Sequence, residues 1–364
     1  MGTGVRRIVL LTLGWEDLPK SVSVEGASEQ EWLREPVPGV LLECDGGWLL
    51  LDTGFNTALI TDPALRRRFH GDPAFQPVLP GPGEPLDEAL AGIGVDMTDI
   101  QAVAVSHLHN DHAGGLKHFA GRVPVHVQRA ELDYGMSSPP GPESNGIFRV
   151  DFDDPALDWR VADGDAEIAP GVTAVLTAGH TPGHQSFVVS LDESAGGGGF
   201  VFAFDAADLT ENIEREVAVG SRIGAGPEVS VAQIRKLKQI AANRGYQLVP
   251  GHDPVVWPAL SAQLSALGEA RQGCGADREE RDDSHLDVLD AGEGVREAVR
   301  LQADVQGAQR GDAEGEAALL QGYEHAAADA AQVGGDVGEH AAEQAGEQHR
   351  LPGADQGQRR GHGP

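Results

Sequence analysis

The chain has 364 residues, and its 57 acidic residues against 27 Lys and Arg give a formal net charge of −30 at pH 7. Such an excess of negative charge repels nucleic acid and anionic membranes, so we expect neither as a partner. No stretch approaches the roughly 18 apolar residues of a membrane span, and the first apolar run is too short for a signal peptide. With two cysteines and no disulfide framework, the expected location is cytoplasmic.

Three short apolar runs near the N terminus predict β-strands. Residues 7–13 and 40–44 are rich in Leu, Val and Ile, and residues 48–51 follow a Gly-Gly turn that is typical of a hairpin. The third run leads directly to Asp52. Two segments, residues 14–32 and 136–148, are predicted to be irregular; they either cover an apolar substrate or hold ordinary packing residues.

A dense group of metal-binding residue types follows the apolar run at residues 102–105. Its imidazoles and carboxylate all fall between residues 107 and 112: His107, His109, Asp111 and His112. Imidazole and carboxylate are donors that suit Zn²⁺, Fe²⁺ or Mn²⁺. A loop that leaves a buried strand can turn alternate side chains toward more than one ion, so this stretch predicts a metal site. Gly114-Gly115 is predicted to open a helix whose N terminus faces that site.

Further donors stand where later apolar runs end. Residues 172–176 lead to a Gly-rich turn with His180 and His184, residues 200–204 lead to Asp205, and residues 248–249 lead to His252. Rigid strand ends hold ligands at fixed positions, and glycine lets the backbone approach an ion. We therefore expect these side chains to join the earlier group in one site.

Residues 231–243 are predicted to form a core helix. Ser230, with Gln233 three residues later, is typical of a capping box, and Gly245 is typical of a helix end. The apolar stripe between them consists of Ile234, Leu237 and Ile240. Such stripes usually pack in the core, so we assign this helix no further function.

These motifs resemble those of the metallo-β-lactamase-fold hydrolases. The likeness is carried by His-x-His-x-Asp-His at residues 107–112, Gly-His-Thr-Pro-Gly-His at 179–184 and Asp-Thr-Gly at 52–54. Residues 106–115 and 180–186, with Asp205-Ala206 and Glu211-Asn212, are most similar to the N-acyl homoserine lactonases, which are quorum-quenching enzymes. The resemblance covers about residues 7–264. It implies a hydrolase domain at 1–264 with an α/β, four-layer αββα sandwich.

The resemblance also implies a centre with two divalent metal ions, expected to be zinc, with iron, cobalt or manganese as alternatives. One ion would be bound by His107, His109 and His180, the other by Asp111, His112 and His252, with Asp205 bridging both. Asp52 and His184 are expected to hydrogen-bond to ligands.

The expected reaction follows from two ions that share one water. The pKa of that shared water falls toward about 7, so hydroxide is available at neutral pH. A metal-bridging hydroxide is therefore the predicted nucleophile, and it would attack the ester carbonyl of a lactone. Asp111 is expected to carry the proton to the leaving oxygen. The alternatives are a thioesterase of the glyoxalase II kind, an arylesterase or a phosphotriesterase, and, more remotely, a non-catalytic metal-binding protein. The expected partner is a small-molecule ester or lactone; the sequence does not indicate an oligomeric state.

One position departs from the lactonase pattern. Many lactonases of this type have a tyrosine three residues after the bridging aspartate, where this chain has Asp208. A carboxylate cannot donate a hydrogen bond to an oxyanion unless it is protonated. Asp208 is therefore either a variant catalytic group with a raised pKa or a helix cap or surface residue, and we expect the cap or surface role.

The last hundred residues have a different composition. From about residue 268 onward there is no Ile, Phe, Trp, Met, Lys, Thr or Asn. A segment of this kind cannot bury enough apolar surface to offset the entropy of ordering, so residues 265–364 are predicted to be a disordered, low-complexity tail. Our hypothesis is that a frameshift or misread stop in a high-GC gene produced it.

Overall fold

The structure, a computed structural model, describes residues 4–139 and 145–276, with side chains as far as residue 266. Most of the predicted tail, from residue 277 onward, lies outside the described residues. Within them, no helix has the length and hydropathy that a bilayer crossing requires.

The larger of two sheets has seven strands in the order β4-β1-β2-β3-β5-β6-β7. Its strands are β1 (Arg7–Pro19), β2 (Trp32–Cys44), β3 (Gly47–Leu51), β4 (Gln76–Val78), β5 (Ile100–Ala104), β6 (Pro124–Gln128) and β7 (Asp158–Ala162). β1, β2 and β3 are antiparallel neighbours, which confirms the predicted hairpin. From β3 to β7 the neighbours are parallel, so their carboxyl ends lie at one edge.

The smaller sheet has five strands in the order β12-β11-β10-β9-β8. Its strands are β8 (Ala166–Ala169), β9 (Val172–Leu176), β10 (Gln185–Ser190), β11 (Gly199–Phe202) and β12 (Gln247–Val249). β11 and β12 are parallel, whereas the other neighbours are antiparallel. The apolar runs expected to form strands at 172–176, 200–204 and 248–249 are confirmed within a few residues.

Helices flank both sheets. They are α1 (Lys20–Ser23), α2 (Thr57–Thr61), α3 (Pro63–Phe69), α4 (Pro85–Gly92), α5 (Asn110–Ala113), α6 (Arg129–Ser137), α7 (Thr210–Arg215), α8 (Pro227–Arg244) and α9 (Val256–Ala276). The domain boundary predicted at residue 264 falls inside α9.

Side-chain alternation along the strands separates three apolar clusters. On β1, Val9 and Leu11 face one cluster behind the large sheet, whereas Ile8 and Leu10 face a second cluster between the sheets. The third cluster joins the outer face of the small sheet to α8 through Ile234. Three apolar layers require four structural layers, which confirms the predicted helix–sheet–sheet–helix sandwich.

Part of the segment predicted to be irregular is strand. β1 continues to residue 19 after a register shift between Thr12 and Trp15, and Trp15 pairs with Val78 on β4. The prediction was wrong for residues 14–19 because their polar sequence gives no local strand signal. Their backbone hydrogen bonds depend on partners far along the chain.

The core helix α8 begins one turn before its predicted start. Gly226 is the residue that caps it and Pro227 is in its first turn, so Ser230 lies inside the helix and is buried. The predicted capping box is wrong, and proline at the first helical position is the sequence signal that marks the start. Gly245 ends the helix with φ 66°, as predicted.

The helix predicted to open at Gly114-Gly115 is a single 3-10 turn, Leu116–Phe119. The short helix α5 precedes these glycines instead, so the helical turn nearest the metal motif contains Asp111 and His112 themselves.

Candidate metal centre

The predicted donors all follow the carboxyl ends of strands, two in the larger sheet and three in the smaller one. β3 leads to Asp52, and β5 leads to the loop and short helix that hold residues 107–112. In the second sheet, β9, β11 and β12 lead to His180, Asp205 and His252. Because the strand ends are fixed by both sheets, the donors are brought together without a long flexible segment.

The first cluster consists of His107, His109, His180 and one oxygen of Asp205, whose donor atoms lie within 4.8 Å of one another. His109 Nδ1 lies 2.9 Å from His107 Nε2 and 2.8 Å from His180 Nε2. Asp205 Oδ2 lies 3.4 Å from His180 Nε2 and 3.8 Å from His107 Nε2. Three imidazoles and a carboxylate therefore face one point.

The second cluster consists of Asp111, His112 and His252, with donor atoms again within 4.8 Å. His112 Nε2 lies 2.8 Å from Asp111 Oδ2. Asp205 turns its other oxygen to this cluster, since Oδ1 lies 3.2 Å from His112 Nε2 and 3.1 Å from His252 Nε2. Asp205 thus presents one oxygen to each cluster, which is the arrangement that a bridging ligand requires.

The outer nitrogens of four histidines are held by neighbouring groups. The pairs are His107 Nδ1 with Ser106 Oγ (2.9 Å), His112 Nδ1 with Asp52 Oδ2 (2.7 Å), His180 Nδ1 with the Ser221 carbonyl (2.8 Å) and His252 Nδ1 with the Pro36 carbonyl (3.0 Å). Carbonyl and carboxylate oxygens only accept hydrogen bonds, so a neutral imidazole beside them carries its proton on Nδ1 and its lone pair on Nε2.

This donor set could hold divalent metal ions. Donors bonded at 2.0–2.2 Å to one tetrahedral ion lie about 3.3–3.6 Å apart, close to the separations between Asp205 and the histidines. All seven residues are at most 8% exposed. Closely spaced lone pairs and carboxylate oxygens repel one another unless a cation lies between them. The inward lone pairs and the shared carboxylate are therefore suited to a buried cation.

Asp52 supports ligands in both clusters. Its carboxylate accepts hydrogen bonds from His112 Nδ1, from the Ser106 backbone N–H (2.6 Å) and from Ser106 Oγ (2.7 Å). Since the Ser106 hydroxyl donates to Asp52, it is free to accept from His107 Nδ1. One buried carboxylate therefore orients His112 directly and His107 through a hydroxyl.

His184 does not hydrogen-bond to a ligand, contrary to expectation. Its Nδ1 lies 2.9 Å from Thr177 Oγ1, and its ring centre is 5.3 Å from that of His107. Among the described residues its Nε2 has no hydrogen-bond partner. The ring packs against the first cluster, and burial lowers the pKa of His184 to about 3.

Glu131 on α6 is a supporting residue that the sequence did not reveal. Its buried carboxylate accepts hydrogen bonds from the Leu108 N–H (2.9 Å), Thr181 Oγ1 (2.7 Å) and the Gly183 N–H (3.0 Å). Leu108 lies between two histidines of the first cluster, and Thr181 follows the third. Glu131 therefore ties together the two loops that hold the first cluster.

The two clusters differ in their electrostatics. Burial, reinforced by His180, lowers the pKa of His109 to about 3, and burial also lowers the pKa of His107. Burial opposes the charged form of His252 too, but Asp205 outweighs it and raises the pKa of His252 to about 10. Asp111 and its neighbouring carboxylates likewise raise the pKa of His112 against the effect of burial.

Asp208 neither caps a helix nor lies at the surface, so the expected role is wrong. It is 4% exposed, and the backbone and hydroxyl of Thr210, at the start of α7, donate instead to Asp253 Oδ2 at 2.9 and 2.7 Å. Asp208 lies beside the centre: its carbonyl accepts from the His252 N–H, 2.8 Å away. Burial, followed by the charge of Asp205, raises the pKa of Asp208 well above its usual value.

A cavity of about 640 Å³ opens onto both clusters. Besides the donors, its walls include the acidic side chains of Glu16, Glu35 and Asp208 and the apolar side chains of Leu18, Val22, Phe69, Phe75, Phe148 and Ile223. Both segments predicted to be irregular contribute, although Trp32 is 49% exposed and does not belong to this lining. Burial raises the pKa of Glu35 to about 7. The cavity is thus apolar in part and unusually acidic near the second cluster.

Comparison with known proteins places these features in context. The family model described as the Metallo-beta-lactamase superfamily matches residues 34–203. The N-acyl homoserine lactonase AttM of Azorhizobium caulinodans is 32% identical over 232 residues, which cover 62% of this chain and 84% of that protein. The N-acyl homoserine lactonase AiiA of Bacillus thuringiensis subsp. kurstaki is 31% identical over 223 residues, which cover 61% and 82%.

A solved structure shares the architecture. An N-acyl homoserine lactone hydrolase, with the product N-hexanoyl-L-homoserine bound at its catalytic metal centre, superposes with a TM-score of 0.60 and 27% identity. The match covers 69% of this chain and 94% of that chain. The fold and the buried His and Asp clusters suit a metal-dependent hydrolase.

Proposed function

Since this chain belongs to the metallo-β-lactamase superfamily, we propose that it is a lactonase that hydrolyses N-acyl homoserine lactones with two divalent metal ions, zinc being the expected metal. The observation that carries the proposal is the pair of donor clusters that share Asp205 in the wall of one cavity. The named relatives and the product-bound neighbour support the lactone substrate.

Each cluster has the residues to hold one ion. His107, His109 and His180 would hold the first, Asp111, His112 and His252 the second, and Asp205 both. When bound, such ions activate water and polarise an ester carbonyl, which is the chemistry that ring opening requires. Asp52 orients His107 and His112 so that their lone pairs face inward.

We assign proton transfer to Asp111. Hydrolysis forms a bond from the water oxygen to the carbonyl carbon and breaks the bond from that carbon to the ring oxygen, so one proton must move from water to the leaving oxygen. The Asp111 carboxylate borders the cavity and offers a second oxygen besides the one near His112. That oxygen can accept the proton from water and pass it to the leaving ring oxygen, which becomes the hydroxyl of the product.

The apolar side of the cavity suits an acyl chain. Phe69 and Phe148 pack edge to face with ring centres 5.0 Å apart, and Phe75 and Ile223 add to the lining. Burying methylene groups against such a surface is favourable by about 0.8 kcal/mol each. Binding is therefore expected to strengthen with acyl length until the cavity is filled.

The test is hydrolysis of N-acyl homoserine lactones of increasing acyl length by the full-length, metal-loaded chain, followed as acid release at neutral pH. We expect turnover that is lost after chelation and in His109→Ala. His118→Ala is the matched control, because its side chain is 39% exposed and outside both clusters, and it is expected to keep full activity.

Hydrolysis of thioesters, aryl esters or phosphotriesters with no turnover of any lactone would contradict the substrate assignment. Unchanged lactone turnover by the chelated protein would contradict the metal requirement.

A further inference from the structure

Asp208 has a donor atom in the metal centre beyond the seven predicted. One of its carboxylate oxygens lies within 4.8 Å of donor atoms of both Asp205 and His252. The side chain is buried, and Oδ1 has no hydrogen-bond partner among the described residues. The hydrogen bond from the His252 N–H to the Asp208 carbonyl fixes the two residues side by side.

Among the described residues, no side chain or backbone group of a neighbouring element donates a hydrogen bond to this carboxylate. Asp253 receives the hydrogen bonds from Thr210 at the start of α7, and Asn212 accepts from the Leu209 N–H at 2.8 Å. A buried carboxylate without donors is unfavourable as an anion unless it takes up a proton or a cation lies beside it. The second cluster is the place where a cation is expected.

We propose that Asp208 is a further metal ligand that completes the second cluster together with Asp111, His112, His252 and the shared Asp205. This inference rests on the two-ion centre of the proposed function, and it is independent of which ester is hydrolysed.

With Asp208 as a ligand, the two subsites have opposite donor character. The first has three imidazoles and one carboxylate, whereas the second has two imidazoles and three carboxylates. Imidazole suits zinc, while carboxylate-rich sites suit harder cations such as Mn²⁺. We therefore expect the second subsite to accept Mn²⁺ much more readily than the first subsite does.

The substitution for tyrosine is consistent with this assignment. Many lactonases of the type that this chain resembles have a long neutral phenol at this position, whereas this chain has the short, acidic side chain of Asp208. An anionic oxygen in place of a phenol adds negative charge beside the second ion. This added charge changes the ion that the second subsite prefers, and the donors of the first subsite stay the same.

The experiment titrates the metal-free, full-length chain with Mn²⁺ and with Zn²⁺ by calorimetry, and counts bound Mn²⁺ by electron paramagnetic resonance. In Asp208→Asn and Asp208→Ser we expect the second ion to bind about 100-fold or more weakly, because even residues that only support a ligand are worth 10–100-fold. The loss should be larger for Mn²⁺ than for Zn²⁺. Binding of the first ion should be unchanged, which also reports that both variants fold.

Glu35→Gln is the matched control. Glu35 is also a buried acid that lines the cavity, but it belongs to neither donor cluster. We expect its substitution to leave both affinities within a few fold. A second-ion affinity in Asp208→Asn equal to that of the unsubstituted chain would overturn the proposal. So would an equal loss in Glu35→Gln, since it would reveal a general charge effect.

The absorption spectrum of the Co²⁺-loaded protein gives an independent readout. Loss of a ligand lowers the coordination number, so the visible bands of the second Co²⁺ should intensify in Asp208→Asn and not in Glu35→Gln. These readouts use no substrate. A chain that binds two ions in this unequal way but hydrolyses no lactone would sink the proposed function and leave the ligand assignment intact.

Discussion

The two donor clusters share Asp205 and are built from the same residue types, yet their surroundings are opposite. In the first, imidazoles face imidazoles, and burial keeps His107 and His109 neutral by lowering their pKa values. In the second, carboxylates raise the pKa of His112 and of His252 despite burial. The difference shows that clusters built from the same residue types and sharing one ligand can still differ in their electrostatics.

The excess of acid around the second cluster extends into the cavity. Glu35 and Asp208 are both buried there, and the pKa of each is raised by burial. The first cluster is instead braced by neutral hydroxyl and carbonyl groups and by the hydrogen-bonded Glu131. We infer that the first cluster is preorganised by its hydrogen bonds, whereas the second would depend more on a bound cation to offset its negative charge.

The strongest test removes what the clusters share. Asp205→Ala should lower the affinity for each of the two ions by well over 100-fold, which corresponds to more than about 5 kcal/mol of binding free energy in sum. We expect this because even residues that only support a ligand contribute 10–100-fold to metal affinity. The measurement is metal content after dialysis against a chelator. Asp163→Ala, whose side chain is 70% exposed, should retain both ions. Loss of only one ion from Asp205→Ala would contradict the bridge.

The stability of the metal-free protein should depend on pH through a buried acid near the second cluster. The pKa of Glu35 is raised from 4.5 to about 7 by burial, so the folded, metal-free protein binds this proton more tightly than the unfolded chain does. The free energy of unfolding that the protonated Glu35 carboxyl contributes is therefore lost as pH rises from 4.5 to 7, and the loss amounts to about 3 kcal/mol. Chemical denaturation at pH 5 and pH 8 should show a smaller loss in Glu35→Gln.

Glu167→Gln, at an exposed position, is the control for that experiment. A stability difference between pH 5 and pH 8 that is the same in Glu35→Gln as in the unsubstituted chain would show that Glu35 does not hold the proton.

Asp52→Asn should lower the metal affinity of the two clusters to different extents. It leaves the shape of the residue but removes the charge that His112 contacts directly and His107 contacts only through Ser106. We expect the second ion to bind about 10–100-fold more weakly and the first ion to change less. Calorimetric titration with zinc measures both, and equal losses would argue against the direct and relayed roles.

Glu131→Gln should produce the smallest effect, on the first cluster alone. An amide presents one N–H₂ group where the carboxylate accepted hydrogen bonds, which leaves a buried donor unpaired and costs about 1–2 kcal/mol of unfolding free energy. Thermal unfolding and zinc titration are the measurements. A change in the second ion's affinity with none in the first would contradict the bracing role.

The contiguous motif was the part of the site that sequence could predict. His107, His109, Asp111 and His112 lie on one loop after one strand, so local chain geometry already limits where their donors can point. Asp205 and His252 were foreseen because apolar runs end beside them. Strand boundaries were less secure, since β1 extends to residue 19 through pairing with β2 and, at residues 15–17, with β4.

The sequence by itself determined the layered α/β fold, the donor types and the strand ends that hold them, because periodicity and residue chemistry are local properties. Only the tertiary structure decided that Asp208 is buried beside His252 while Asp253 accepts the hydrogen bonds at the start of α7, and that Glu131 joins the loop at Leu108 to the loop at Thr181 and Gly183. Burial and hydrogen-bond pairing depend on groups that are distant along the chain. The charge of each cluster is therefore set when the two sheets pack together.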